Sequence, residues 1–133
     1  MSRENVELVL DAFRALDAEG IDAALAFFAP DCVWYMSDRW LEGSAYRGHE
    51  GMRYLNAAFA DTFDSWGWEV RDTRDAQDRV VVLSERTGQI KGSGATVSQP
   101  LGLVVSDFHD DTFGEIRAFA SWREALEAVG LRG

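Results

Sequence analysis

The sequence is poor in cysteine, and it has no long apolar run. Cys32 is the single cysteine among 133 residues, so no disulfide can form within the chain, which fits a reducing compartment. No window approaches the roughly 18 consecutive apolar residues of a membrane-spanning helix. The first ten residues, MSRENVELVL, lack the basic start and continuous apolar run of an export signal. We therefore expect a cytoplasmic protein.

The sequence also lacks clusters of basic residues. Its 13 Lys and Arg residues are outnumbered by 23 Asp and Glu residues, which gives a formal net charge of −10. Such an acidic chain repels nucleic acids and anionic membranes, and we expect neither as a partner. What the chain does have is 47% apolar residues and five tryptophans, enough to form the core of a single domain over residues 1–133.

The first half of the sequence predicts three helices and one strand. Apolar residues recur at three- and four-residue spacing over residues 4–18. A shorter helix is predicted from Ile21 to just before Pro30, and a long one begins at Gly48 and carries an apolar stripe as far as Trp66. Between them, CVWYM has the composition of a strand, and a loop follows it.

The second half of the sequence favours antiparallel strands. Segments rich in β-branched and aromatic residues are separated by turn-forming residues, in the order WEVRDTRD, RVVVLSERTGQIKG, ATVSQPLGLVVSDFH and EIRAFAS. A closing helix, WREALEAVG, ends the pattern. Helices gathered early and strands gathered late predict an α+β fold in which the sheet packs on the helices.

The segment SDFHDDTFG, before the last strand, is the one place that could suggest a metal site. It brings His109 close to Asp107, Asp110 and Asp111, but a solvated hairpin turn explains the same residues. No other spacing of His, Cys and carboxylates indicates a metal, and there is no glycine-rich phosphate loop. We predict neither a metal nor a cofactor.

The order of these elements resembles the SnoaL-like branch of the nuclear transport factor 2-like superfamily. The residues that carry the resemblance are ENVELVLDAFRALDAEGIDAALAFFAPDCVWY, YRGHEGMRYL, DRVVVL, GSGATVSQPL and WREALEAVGL. The resemblance implies a cystatin-like cone, in which a strongly curved, mostly antiparallel sheet wraps three helices of the N-terminal half and a short C-terminal helix follows. It also implies a ligand cavity at the wide end and a homodimer formed through the sheet.

The resemblance does not identify a reaction, because the family includes polyketide cyclases, ketosteroid isomerases, epoxide hydrolases and dehydratases. By the resemblance, the base of the isomerases falls at or near Met36, and the acid that stabilises their enolate falls at Gly102. The acid/base aspartate of the cyclases falls at Ser121, whose hydroxyl is a poor general base near neutral pH. Whether the chain is an enzyme therefore stays open.

Arg86 is the leading candidate for contact with a ligand. Strand alternation places it on the same side as Val82 and Ser84, which the resemblance turns towards the cavity. The neighbouring Glu85 points to the opposite face, so the Arg-x-Asp alternation of epoxide hydrolases is not reproduced. An arginine in an apolar cavity needs an acceptor, either on a ligand or on an interior acid, and both alternatives remain.

The stretch YRGHEGMRYL places Arg47, His49 and Glu50 within four positions of one another. Gly48 followed by His49 and Glu50 is typical of a helix start, since the helix dipole favours an acid in the first turn. The alternative is catalytic, because histidine is the commonest general base.

Aromatic and amide side chains complete the candidate site. Inward-facing rings could stack on a planar ligand, although core packing explains them equally well. Trp40 lies in the predicted loop and could form a lid, whereas Tyr54 and Gln99 could offer polar groups. The candidate ligand-binding residues are Arg86, Trp34, Trp40, Tyr54, Phe59, Phe63, Gln99 and Phe119, and the catalytic candidates are His49 and Ser121.

Two functions are consistent with this sequence. The first is binding of a small, largely apolar or aromatic organic molecule, with cofactor-independent acid/base chemistry on a carbonyl-containing ligand if the chain is an enzyme. The second is a non-catalytic, dimeric binding or interaction module, in which the cavity is small or closed and the outer sheet face makes the contacts. The volume of the cavity separates them, because ligand sites usually measure about 300 Å³ or more.

Overall fold

The computed structural model describes residues 2–36 and 45–131. Gly20, with a φ of 99°, separates the first two helices in a conformation that glycine adopts most readily. A 3₁₀ turn at Leu25–Phe27 follows the second helix. The helices are α1 (Ser2–Glu19), α2 (Ile21–Ala24), α3 (Gly48–Thr62) and α4 (Trp122–Ala128).

The strands of the described residues form one six-stranded sheet with the order β2-β1-β6-β5-β4-β3. All neighbouring strands run antiparallel except β1 and β6, which run parallel. The predicted α+β fold with a mostly antiparallel sheet is therefore confirmed. The strands are β1 (Phe28–Tyr35), β2 (Ala45–Arg47), β3 (Phe63–Ala76), β4 (Arg79–Ile90), β5 (Thr96–His109) and β6 (Thr112–Phe119).

The junction between α3 and β3 differs from the prediction. The apolar stripe of the third helix was expected to reach Trp66, but α3 ends at Thr62 and β3 begins at once. Trp66 and Trp68 lie on the same face of β3, on either side of Gly67 in the chain, and both pair with residues of β4. The pairing of β3 with the whole length of β4 therefore decides in favour of a strand here. The apolar residues at three-residue spacing would also have fitted a helix.

The boundaries of the first two strands also differ from the prediction. β1 begins at Phe28, four residues before the predicted CVWYM strand, and it includes Pro30. β2 lies within the segment predicted as a loop and pairs antiparallel with β1. Three residues are too few for an alternation pattern to reveal a strand.

The main core lies between the first three helices and the concave face of the sheet. It joins Val9 of α1 and Leu55 of α3 to Val82, Leu103 and Ile116 of the sheet. This face of β4 also carries Ser84 and Arg86, as strand alternation predicted.

A smaller core lies on the opposite, convex face of the sheet. Here α4 packs Ala125 and Leu126 against Val81, Leu83 and Val104. The two cores together bury both faces of β4, which explains its continuous apolar run.

The hairpin between β5 and β6 turns at Asp110 and Asp111. Both residues have positive φ angles, 52° and 59°, and His109 pairs with Thr112 across them. A two-residue turn with two positive φ angles matches the twist of an antiparallel pair. The predicted hairpin turn is confirmed, and the described ranges contain no group of three or more His, Cys, Asp or Glu that could hold a metal ion.

None of the helices in residues 2–36 and 45–131 is long and apolar enough to cross a membrane.

Candidate functional site

A cavity of about 60 Å³ lies between α1, α3 and the concave face of the sheet. We call it the deep chamber. Its walls are largely apolar and rich in aromatic rings, because the surrounding helices and strands turn their inward-facing side chains towards it. They include Phe13 of α1, Trp34 of β1, Phe59 of α3, Trp66 and Trp68 of β3, and Leu103 of β5.

Trp68 is the centre of the aromatic wall. Its ring centroid lies 6.1 Å from that of Phe13, 6.2 Å from that of Trp34 and 6.1 Å from that of Phe59. The ring planes meet at 59° to 70°, and Phe59 and Trp66 meet at 55°. Tilted and edge-to-face contacts of this kind are favourable between aromatic rings, and these rings form one wall of the deep chamber.

An outer chamber of about 200 Å³ adjoins the deep chamber. The two share Phe13, Trp66, Trp68 and the half-buried Asn56 of α3, while the outer chamber also reaches the exposed Asp17 near the end of α1. The cavity therefore widens from an apolar interior to a more polar opening between α1 and the edge strand β3.

Arg86 lies on the concave face of β4 but lines neither chamber. Its side chain donates from Nη2 to Oε1 of Gln99 at 2.8 Å. Its guanidinium carbon lies 4.8 Å from the ring centroid of Phe59 and 5.7 Å from that of Phe63. Burial lowers the pKa of Arg86 to about 10, because the charged form loses its hydration.

Four predicted site residues are thus brought together around Arg86 and the deep chamber. Trp34 and Phe59 line the chamber, and Phe59 also contacts Arg86. Phe63 and Gln99 contact Arg86 without lining either chamber.

The YRGHEGMRYL stretch begins a helix, as predicted. α3 starts at Gly48, and the ring of His49 donates from Nε2 to the carbonyl oxygen of Phe28 at 2.9 Å. A Cβ at Gly51 would lie 2.8 Å from the backbone carbon of Tyr46, so glycine is needed where α3 meets β2. His49 lines neither chamber, and its hydrogen bond ties α3 to β1.

Three further candidates lie away from the cavity, contrary to prediction. Tyr54 is 67% exposed and stacks on Tyr46 at the surface. Phe119 packs in the convex core beside α4. Side chains alternate between the two faces along β6, so its neighbour Ala118 lies on the concave face instead. Ser121 caps α4, where its Oγ accepts from the backbone N of Glu124 at 3.2 Å. The remaining candidate, Trp40, lies outside the described residues.

The positions assigned to acid/base chemistry need one correction. Gly102 faces α4, not the cavity, since a Cβ there would lie 2.5 Å from Cβ of Ala125. Its neighbours Leu101 and Leu103 face the main core, and neither can donate a proton. Met36 is buried in that core and accepts a hydrogen bond from Nε1 of Trp34 at its sulfur.

Sequence reasoning missed Trp66 and Trp68 as cavity-lining residues, and also Asn56. The signal for the tryptophans was present as WGW, two large rings on one strand face separated by a glycine. Assigning Trp66 to the helix concealed it. Asn56 carried no signal, because a polar residue next to the apolar stripe of a helix normally faces water.

The curved sheet, the helices on its concave face and the cavity between them define a nuclear transport factor 2-like fold. The chain belongs to the SnoaL-like domain family, whose model matches residues 9–113. No curated protein matches the sequence significantly.

Solved structures share this fold at low sequence identity. A putative SnoaL-like polyketide cyclase from Jannaschia sp. CCS1 is 22% identical with a TM-score of 0.76, over 99% of this chain and 95% of its own. TerC, co-crystallised with polyporic acid, is 19% identical with a TM-score of 0.77, over 95% and 98%. A protein with a ketosteroid isomerase-like fold from Catenulispora acidiphila DSM 44928, in complex with trimethylamine, is 18% identical with a TM-score of 0.74, over 94% and 93%.

Proposed function

We propose that this protein binds a small, largely apolar organic molecule in the deep chamber. We further propose that the chamber does not act on this molecule by general acid or base catalysis. The observation that carries the proposal is the composition of the chamber wall. Among the described residues that line it, seven are aromatic and none is Asp, Glu, His, Lys or Arg. Such a wall favours an apolar ligand by burial and ring contacts, but its described residues include no group that transfers a proton near neutral pH.

The volume of the chamber limits the size of the group that enters it. A water-sized group needs about 10–15 Å³ by this measure, so 60 Å³ admits about four to six such groups. That is smaller than the usual ligand site of about 300 Å³ or more, so volume alone favours the small-cavity interaction module. The aromatic wall and the adjoining outer chamber favour binding of a compact ligand. A compact apolar group therefore fills the deep chamber, and any larger remainder occupies the outer chamber of about 200 Å³.

Two structures of the same fold support a role in binding small molecules. One holds trimethylamine and another was co-crystallised with polyporic acid. The two ligands differ greatly in size and polarity, so they support the use of this fold for small ligands without indicating the ligand of this chain.

Filling the deep chamber should abolish binding. Ala12 is 4% exposed and lines the chamber from α1, so Ala12→Leu adds three carbon atoms to a space for about four to six groups. In a thermal-shift screen of monocyclic aromatics, polycyclic ketones, steroids and epoxides, we expect compounds that stabilise the native chain to give no shift with Ala12→Leu.

The matched control for this variant is Ala18→Leu, at an exposed position on the same helix that lines neither chamber. Ala18→Leu should keep every ligand that the native chain binds, and circular dichroism should show both variants folded. Ligand shifts that persist unchanged in Ala12→Leu would place the binding site elsewhere and contradict the proposal.

We extend the proposal to a cytoplasmic homodimer formed through the convex face of the sheet, which membership of the SnoaL-like family supports. Beyond α4, this face is polar, and there Ser98 donates from Oγ to Oε1 of Glu85 at 2.8 Å. Sedimentation analysis should give twice the chain mass of 14.8 kDa, and a mass of 14.8 kDa at all concentrations would contradict the dimer.

A further inference from the structure

We propose that Asn56 hydrogen-bonds the polar group of the ligand and that the ligand is an uncharged molecule, with a compact apolar body and one hydroxyl, carbonyl or amide group. This inference rests on the proposed function and deepens it, since it names the chemical class that the cavity selects.

The first support is the position of Asn56. Its side chain is half-buried and lines both chambers, so it stands where the apolar interior meets the outer opening. A side-chain amide carries two donor hydrogens and an acceptor oxygen. None of these is hydrogen-bonded to another residue in the described part of the chain, where the polar groups of Trp34, His49 and Gln99 all have partners.

The second support is that Asn56 is the one polar amide or ionisable side chain among the described residues lining the deep chamber. A ligand whose apolar body lies against Trp68 and Phe59 would carry its polar group to the opening, next to Asn56. There the amide can donate to a carbonyl or accept from a hydroxyl. The partly desolvated polar groups of the ligand and of Asn56 then both have a hydrogen-bond partner.

The third support concerns the charge of the ligand. An ionised group loses hydration in an apolar chamber, and none of the described residues that line the deep chamber carries an opposite charge to offset the loss. The tryptophan rings would attract a cation, but the guanidinium of Arg86 lies 4.8 Å from the Phe59 ring, which itself lines the chamber. The positive charge of Arg86 opposes a second cation at that ring, and the attraction of the outer chamber's Asp17 is weak because this carboxylate is exposed to water.

An anionic ligand is disfavoured for a different reason. Arg86 would attract it, but Arg86 lines neither chamber and its guanidinium packs on Phe59 and Phe63. An anion in either chamber would therefore lie out of contact with the guanidinium. A neutral polar group is the remaining class that both Asn56 and the aromatic wall accommodate.

A set of isosteric ligands tests the inference. Toluene, benzyl alcohol, benzylamine and benzoate share one ring and carry no polar group, a neutral one, a cation and an anion at neutral pH. Calorimetric or NMR titration of the native chain should show binding of toluene and benzyl alcohol, with benzylamine and benzoate weaker than benzyl alcohol by about tenfold or more.

Two variants then isolate the contact with Asn56. In Asn56→Leu, the affinity of benzyl alcohol relative to toluene should fall about two- to tenfold, the range of a net hydrogen bond between neutral groups. In Asn56→Asp, benzylamine should gain on benzyl alcohol by about tenfold, because a carboxylate then faces the polar group. A purely structural role for Asn56 would change the affinities of all four ligands together.

The outcomes separate this inference from the proposed function. If toluene binds the native chain but the benzyl alcohol to toluene ratio is the same in Asn56→Leu, the role of Asn56 is overturned and the binding function stands. If benzylamine or benzoate binds the native chain most tightly, the neutral class is overturned. If no member of the set binds, both proposals fail for monocyclic ligands of this size.

Discussion

Gly102→Ala is expected to destabilise the fold by about 1–3 kcal/mol, although it adds a single methyl group. A Cβ at this position would lie 2.5 Å from Cβ of Ala125 and 3.1 Å from the carbonyl oxygen of Ser121. Ala125 lies in the middle of α4 and Ser121 caps this helix, so α4 would have to move off β5 and open the convex core. Urea denaturation measures the change as a lower midpoint at unchanged slope.

Two further variants define the cause of this effect. Gly67→Ala, on β3, meets no atom within 4 Å, so it should be neutral or should stabilise by up to about 1 kcal/mol. Ala125→Gly alone should destabilise α4 by about 1 kcal/mol, yet in Gly102→Ala it should restore part of the lost stability. A Gly102→Ala protein as stable as Gly67→Ala would contradict the close packing of α4 on β5.

The orientation of Gly102 also bears on any attempt to restore isomerase chemistry. Gly102→Asp would place a carboxylate against α4, on the opposite face of the sheet from the cavity. The cavity-facing neighbour is Leu103, which lines the deep chamber. A shift of one residue along a strand reverses the face of the sheet. The resemblance therefore places the acid that stabilises the enolate at a position that faces away from the cavity.

The sequence predicted the elements and their order because apolar periodicity reports local structure directly. It also predicted which face of β4 carries Arg86, since alternation along a strand is strict. It did not predict that α4 covers the convex face. Val80, Val81, Val82 and Leu83 are all buried, and this continuous apolar run was the signal that both faces of β4 are covered.

The candidate site was predicted less completely than the fold. Trp34 and Phe59 do line the deep chamber, because each lies on the inward face of a correctly assigned element. Tyr54 was expected to reach the cavity but is 67% exposed, since one position along a helix turns a side chain by about 100°. Helix spacing alone cannot resolve such differences when the neighbouring elements are unknown.

Arg86→Ala is expected to destabilise the fold by about 2–4 kcal/mol, whereas Arg86→Met should recover most of that loss. Arg86 is 5% exposed, and its long side chain packs against Phe59 and Phe63. Alanine leaves a void beside both rings, but methionine occupies a similar volume without a buried charge. Because Gln99 is exposed, its amide oxygen can bond to water in either variant. Thermal and urea unfolding of the three proteins measure the order.

The pH dependence distinguishes the charge of Arg86 from its packing. Burial lowers the folded-state pKa of Arg86 to about 10, below its unfolded value, so the unfolded chain binds more protons between these two values. Stability contributed by this group therefore rises with pH in that window, and the penalty for burying the charge is complete below about pH 10. Arg86→Met lacks this penalty, so the native chain should gain stability relative to Arg86→Met as the pH rises from about 9 to about 11.

If Arg86→Met is as unstable as Arg86→Ala at neutral pH, the charge itself holds the fold together. In that case the sheet beneath α3 is organised around the guanidinium, and the two rings only cover it.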